Sequence, residues 1–150
     1  MIALANHGVP TNNILEPKDM ELEERKEMVA AAFEQRFDVH PTVWTRAPGR
    51  VDLMGSHTDY NMGHVMTMSV DRDTWVAATP REDGQVAIYS LNAEGGATFD
   101  LTDIQHDDEV PWTDYVRGVA LAMQDAGCQL SGFNGLIHST VPFSLSLIHI

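Results

Sequence analysis

Apolar residues recur at helical spacing in the first part of the chain. Between Asp19 and Phe37 most charged side chains fall on the faces that the apolar positions leave, and those positions are Leu22, Val29, Ala32, Phe33 and Phe37. The pattern predicts an amphipathic helix with Asp19 as its N-cap, just after Pro17. Residues 1–17 lack this period, and we interpret them as an N-terminal arm.

The pattern then changes to short apolar or alternating runs separated by turn residues, which is typical of strands. Strands are predicted at Val43–Ala47, Arg50–Met54, His64–Val70, Asp73–Thr79, Val86–Tyr89, Thr98–Leu101 and Phe133–Val141. Pro48 and Gly49 interrupt the first two of these runs. The turn residues Glu82, Asp83 and Gly84 predict a hairpin between the strand before them and the strand after them.

A second helix is predicted at Trp112–Ala126, with Gly127 in the position of a C′ glycine. Its apolar residues, which we expect on the buried side, are Tyr115, Val116, Val119, Ala122, Met123 and Ala126. Strands mixed with two helices, with hairpin turns, indicate an α+β domain rather than a regular parallel array.

Composition and charge narrow the function classes. The 150 residues are 43% apolar, enough for one domain with a core, and the formal net charge of -13 argues against nucleic acid or an anionic membrane as partner. No apolar run reaches membrane-spanning length, and the first residues do not read as a signal peptide. The single cysteine, Cys128, excludes an internal disulfide, so we expect a cytoplasmic protein in which this thiol is buried.

Polar residues gather in the segment Gly55–Gly63, between two predicted strands. A carboxylate such as Asp59 can accept hydrogen bonds from two neighbouring hydroxyls, and an imidazole such as His57 can donate or accept. These residue types suit a sugar. Arg50, just upstream, would add a positive charge able to stabilise a transferring phosphoryl group.

Three other interpretations of this segment stay open at this point. Asn, Asp, Ser and Gly between strands often serve only to form a turn. A metal site from His57, Asp59 and His64 is conceivable, although the spacing supplies no further ligand. A hydrolase built on Ser56 with its neighbours is disfavoured, because adjacent loop residues rarely have triad geometry and no G-x-S-x-G occurs.

The segment resembles the signature of the galactokinases within the GHMP kinase superfamily, Gly-Arg-x-Asn-Leu-Ile-Gly-Glu-His-x-Asp-Tyr followed by Asn-x-Gly. Most positions match in register along Gly49-Arg50-Val51-Asp52-Leu53-Met54-Gly55-Ser56-His57-Thr58-Asp59-Tyr60-Asn61-Met62-Gly63. The helix start Trp112-Thr113-Asp114-Tyr115-Val116-Arg117-Gly118 resembles the family's Trp-x-x-Tyr-Val-x-Gly. The strand that ends at Ser139-Thr140-Val141-Pro142 looks like the one that leads to the family's ATP loop.

The resemblance implies a fold, a reaction and a set of roles. The fold would be part of the GHMP kinase N-terminal domain (ribosomal protein S5 domain 2-like), a mixed or antiparallel sheet packed by helices, over residues 18–142. The reaction would be transfer of the γ-phosphoryl group of ATP, with Mg²⁺, to the C1 hydroxyl of galactose. Arg50 would be catalytic, and the substrate-binding residues would be Ser56, His57, Asp59 and Tyr60.

Two departures from the family pattern within the signature bear on function. Ser56 stands where the family has a glutamate that holds the sugar, so the acceptor could be galactose, a derivative or a related sugar. Asp52 replaces an asparagine and loses the amide donors. We expect Arg50 or Arg46 to compensate its charge.

The third departure follows Pro142. The family continues into a Gly-rich loop whose backbone N–H groups hold the phosphates, whereas residues 143–150 contain no glycine. We interpret 143–150 as a truncated or non-native tail, and the chain as a galactokinase fragment that is inactive and marginally stable by itself, with its ATP site elsewhere. The alternative is a galactokinase-like sugar sensor that binds without turnover.

Overall fold

The computed structural model describes residues 21–55 and 57–142, except for the side chain of Asp59. Within these residues lie helices α1 (Leu22–Phe37) and α2 (Asp114–Asp125), and strands β1 (Val43–Met54), β2 (Met66–Arg81), β3 (Gln85–Ser90), β4 (Gly96–Asp100) and β5 (Gly132–Ser139). The α+β class predicted from the sequence is confirmed. The predicted arm, the tail at 143–150, and the expected N-cap Asp19 lie outside the described residues; Glu21 occupies the N-cap of α1 as the structure has it.

The five strands form one mixed sheet in the order β1-β2-β5-β3-β4. All neighbours are antiparallel except β3 and β5, which are parallel. The predicted hairpin between β2 and β3 is therefore wrong, because β5 lies between them. Leu136 of β5 is opposite Ala77 on one side and Tyr89 on the other. The turn residues predict a local bend in the chain. They do not determine whether the strands before and after the bend pair with each other.

Two predicted breaks are bridged by continuous strands. β1 runs through Pro48 and Gly49 with an irregularity in its pairing between Pro48 and Arg50, and β2 runs without interruption from Met66 to Arg81. Because β1 is an edge strand, a proline that donates no hydrogen bond is tolerated there. The break signal in the sequence marks a bulge instead of an end.

The two helices pack on opposite faces of the sheet. Both faces can carry a core because successive residues of a strand point to opposite sides. On one face, Val29 and Phe33 of α1 are fully buried against Ala77 and Leu136. On the other, Ala120 of α2 belongs to the second core cluster, whose other buried members are Val86, Ile88, Phe99 and Leu101. The core is thus divided by the sheet into two layers.

The predicted buried side of α2 is wrong for most of its residues. Tyr115 is 84% exposed and Val119 60% exposed, and the buried positions are Arg117 and Ala120. The guanidinium of Arg117 lies 4.4 Å from the ring centre of Phe99 and binds Asp107, so a charged residue takes a place that we expected to be apolar. The exposed side chains border a groove of about 510 Å³ between α2, β4 and β5.

Other details of the second half are mixed. Gly127 has φ +83° and donates to the carbonyl of Gln124, while Cys128 donates to that of Met123, so the predicted C′ glycine is confirmed. Cys128 itself is exposed, which contradicts the expected buried thiol. In the described part of the chain, neither helix has the length and apolar character needed to cross a membrane.

Candidate functional site

The candidate loop lies at the tip of a two-stranded ribbon. β2 pairs with β5 from Thr74 to Arg81, and before Thr74 its one neighbouring strand within the described residues is β1. We call residues 49–72 the ribbon: the second part of β1, the loop, and the first part of β2. The loop residues and both strands near it are largely exposed.

Glycine and threonine fix the shape of this loop. Gly55 has φ +93°, a conformation that favours glycine, and a Cβ built there would stand 2.7 Å from the carbonyl oxygen of His64. The hydroxyl of Thr58 lies 2.9 Å from the carbonyl oxygens of both Gly55 and His64. It therefore bridges the beginning and the end of the loop, and a short 3₁₀ turn at Asp59–Asn61 lies between them.

The structure brings two of the predicted site residues together. Nδ1 of His57 and the hydroxyl of Tyr60 are 2.7 Å apart, and the two rings meet edge to face with centres 6.1 Å apart. The side-chain amide of Asn61 donates to the carbonyl oxygen of His57 at 3.0 Å. The imidazole is thus held at one nitrogen and at its backbone. Ser56 and the side chain of Asp59 lie outside the described residues.

Arg50 lies on β1 before the loop, with a strongly exposed side chain. Its Nε is 3.8 Å from a carboxylate oxygen of Asp52, two residues along the same face of the strand. Arg46 binds Asp73 instead. Of the two expected compensating residues for Asp52, the structure therefore selects Arg50. The pair is solvated, so it contributes at most about 1 kcal/mol to stability.

A buried polar cluster at the base of the ribbon was missed by the sequence reasoning. Asp73 accepts hydrogen bonds from Arg25 of α1 and from Arg46 of β1, and Nε of Arg25 donates to Nδ1 of His138 at 2.8 Å. A signal was available: Arg25 falls on the same helical stripe as Val29 and Phe33, where a charge requires a buried partner.

The electrostatics of this cluster follow from burial and charge. Burial raises the pKa of Asp73, but the hydrogen bonds from Arg25 and Arg46 more than offset it, so the net pKa is below the usual value. Burial and the charge of Arg25 both lower the pKa of His138. His138 is therefore the neutral acceptor of the Arg25 hydrogen bond at neutral pH.

The alternative metal site at His57, Asp59 and His64 includes the Asp59 side chain, which lies outside the described residues. Within 21–55 and 57–142, with the Asp59 side chain left aside, no three His, Cys, Asp or Glu residues are grouped so that they could hold a metal ion. Outside the loop, His106 forms ion pairs with Asp108 and Asp114, and the Asp114 carboxylate raises the pKa of His106.

Comparison with known proteins places the site in a family. Residues 31–80 match the model of the galactokinase galactose-binding signature. A galactokinase of Chloroflexus aurantiacus is 46% identical over 112 residues, which is 75% of this chain and 29% of that protein. One from Staphylococcus carnosus is 37% identical over 118 residues, 77% of this chain and 30% of that protein. The chain thus spans less than a third of the length of these relatives.

Solved structures agree. The structure of Lactococcus lactis galactokinase complexed with galactose matches 79% of this chain and 32% of its own, with a TM-score of 0.67 and 32% identity. The mevalonate kinase of Methanococcus jannaschii matches with a TM-score of 0.52 at 15% identity, a likeness of fold alone.

Proposed function

The chain belongs to the galactokinase family, and from this premise we propose that it supplies the sugar-binding loop of a kinase that phosphorylates galactose at C1. The observation that carries the proposal is the match to the galactose-binding signature, because residues 31–80 enclose the whole ribbon and its loop. The paired His57 and Tyr60 at the tip give that match a physical content.

In this proposal the loop binds and orients the sugar. The Tyr60 hydroxyl holds Nδ1 of His57, which leaves Nε2 to meet a sugar hydroxyl. Asp59 accepts from two neighbouring hydroxyls, and each such charged hydrogen bond contributes about 1.5–3 kcal/mol. Ser56 precedes His57 in the sequence and offers one hydroxyl in place of the family's carboxylate. Orientation of C1 toward the phosphoryl donor is the main contribution of these residues.

Arg50 acts on the transferred group. The C1 hydroxyl gives up its proton to a base, its oxygen forms a bond to the γ-phosphorus of ATP, the bond from that phosphorus to the bridging oxygen breaks, and ADP leaves. The Arg50 guanidinium stabilises the charge on the phosphoryl oxygens during this step. Before the substrate binds, the Arg50 guanidinium pairs with Asp52 at 3.8 Å. Because this exposed pairing is weak, the phosphoryl group can replace Asp52 as the partner of Arg50. None of the named site residues is assigned as the base that takes the C1 proton.

The family resemblance implies ATP as the phosphoryl donor, accompanied by Mg²⁺. Among the described residues, no three potential metal ligands are grouped. Mg²⁺ would enter bound to the ATP phosphates, and we assign no step to it.

The direct test is a kinase assay on the product of the whole gene that encodes this chain. ³¹P NMR should show galactose 1-phosphate from galactose and ATP, and a panel of related sugars should react more slowly. His57→Ala should abolish galactose binding, as measured by isothermal titration. His40→Ala is the matched control, since His40 is an exposed histidine that pairs with Glu34 far from the loop.

Each outcome has a definite reading. Loss of binding in His57→Ala with normal binding in His40→Ala supports the proposed site. Galactose binding by wild type without any product indicates a sugar-binding protein and refutes the kinase. Faster turnover of another sugar would identify that sugar, instead of galactose, as the acceptor.

A further inference from the structure

We propose that Asp73 is a positioning residue, whose carboxylate fixes the sugar-binding ribbon relative to the segment that follows β5. This inference rests on the proposed function, since it concerns how the bound sugar is aligned with the phosphoryl donor. It assigns a role to the buried cluster, which no part of the proposed sugar site uses.

Asp73 stands at the base of the ribbon. It is opposite Pro48, where the pairing of β1 with β2 becomes irregular, and Thr74 beside it is the first residue of β2 opposite β5. On the ribbon side of Asp73, β2 has β1 as its only neighbouring strand among the described residues. A two-stranded ribbon twists and bends more easily than a three-stranded sheet. The direction of the ribbon is therefore decided at this residue.

The side chain ties three elements at this point. One carboxylate oxygen accepts from Nη1 of Arg25 on α1, and the other accepts from Nε of Arg46 on β1. Arg46 precedes Arg50 on the same strand, so this contact holds the strand that carries the proposed catalytic arginine. Arg25 is itself fixed, because its guanidinium lies 4.6 Å from the centre of the Trp75 ring and donates to His138.

The backbone of Asp73 ties a fourth segment. Its carbonyl oxygen accepts from the N–H of Thr140 at 2.9 Å, and its own N–H donates to the Thr140 hydroxyl at 3.0 Å. A Cβ built on Gly49 would lie 2.7 Å from Cγ2 of Val141, so the bulge of β1 also touches this segment. The residues after β5 and the start of the ribbon thus meet around Asp73.

A positioning role explains why a charged cluster is retained here. Asp73 is 5% exposed and Arg25 4% exposed. Apolar residues of similar volume often serve as well as a buried ion pair for stability. Two guanidinium groups on one carboxylate add direction, because each hydrogen bond constrains distance and angle together. What the cluster supplies beyond stability is a defined angle between the ribbon and the sheet.

Hydrogen exchange tests the mechanical part of the inference on the chain itself. Arg46→Gln is the main variant, because the Arg46 side chain is 59% exposed, so we expect the fold to tolerate its loss. Ribbon amides should then exchange about tenfold faster, with those of β3 and β4 within about twofold of wild type. Arg81→Gln is the matched control, since it removes the Arg81–Asp83 pair at the other end of β2 and should leave the ribbon unchanged. Asp73→Asn should reproduce the Arg46→Gln pattern with a larger effect.

Kinetics test the functional part on the product of the whole gene. In Arg46→Gln the sugar should be misaligned, so kcat should fall by about tenfold. The KM for galactose should stay within about twofold, because the loop that binds the sugar is intact. Unchanged ribbon exchange in Arg46→Gln would overturn the inference, and so would equal acceleration over the whole sheet, which indicates a purely structural role. If wild type phosphorylates no sugar, the proposed function fails, and the exchange pattern still decides whether Asp73 fixes the ribbon.

Discussion

Replacing Gly55 with alanine tests whether the shape of the loop is required for sugar binding. Gly55 has φ +93°, and an added Cβ would stand 2.7 Å from the carbonyl oxygen of His64 and 2.8 Å from the hydroxyl oxygen of Thr58. Contacts this short do not occur in folded proteins, and one of the two atoms is backbone. The loop must therefore open at the point that Thr58 bridges.

The size of the effect follows from these contacts. An alanine at positive φ costs about 1–2 kcal/mol. Displacing the Thr58 hydroxyl forfeits its hydrogen bond, about 0.5–1.5 kcal/mol more. The loop relaxes to another shape, and binding must restore the original one at a free-energy cost of about 1.5–3.5 kcal/mol. At 1.4 kcal/mol for each tenfold change, galactose affinity falls on the order of 10- to 300-fold.

Isothermal titration with galactose measures this loss, and Gly84→Ala supplies the control. Gly84 has φ +71° with no atom within 4 Å of an added Cβ, so the substitution introduces the backbone strain without the collision. It should lower the free energy of unfolding by about 1 kcal/mol and leave galactose affinity unchanged. If Gly55→Ala binds galactose within threefold of wild type, the reasoning from loop shape to affinity is refuted.

Three further predictions concern the core, the loop and pH. Phe33→Ala should lower the free energy of unfolding by about 3–5 kcal/mol in urea titrations, because Phe33 is fully buried; a change under 1 kcal/mol would contradict its place in the core. Tyr60→Phe should weaken galactose binding several-fold in calorimetry with stability within about 0.5 kcal/mol, since it removes the exposed hydrogen bond between the Tyr60 hydroxyl and His57; unchanged affinity would count against a role in orienting His57. The pKa of His138 is lowered in the folded chain, so as pH falls the unfolded chain takes up the imidazole proton first. The contribution of neutral His138 to the free energy of unfolding is therefore complete above pH 6.5 and is lost as pH falls below that value. Urea titrations from pH 7.5 to 5 should show this loss in wild type and a smaller one in His138→Gln, and parallel curves would exclude His138 as the cause.

The sequence predicts the helices and most strand positions because each depends on local pattern. The amphipathic stripe of α1 identifies Val29 and Phe33, and the glycine after α2 marks its end. The candidate loop was also identified correctly as a polar segment between two strands. These features need no knowledge of distant residues.

Pairing and burial could not be predicted in the same way, because they depend on residues far apart in the chain. The insertion of β5 between β2 and β3 places Leu136 beside both Ala77 and Tyr89, a choice that no local pattern encodes. On α2, the apolar period selects the side that carries Tyr115 and Val119, but this side is exposed along the groove between α2, β4 and β5. Arg117 takes the buried position because Asp107 and the Phe99 ring contact its guanidinium there.

The insertion of β5 also determines the order in which a nascent chain can fold. As it leaves the ribosome, β1 can pair with β2 and β3 with β4 at once, since each pair is adjacent in sequence. The two pairs cannot join until β5 has emerged, since it alone connects them within the described sheet. Until then β2 and β3 each expose an unpaired edge, the form of strand that recruits other chains. Synthesis that pauses before Gly132 would thus leave an intermediate that chaperones must protect.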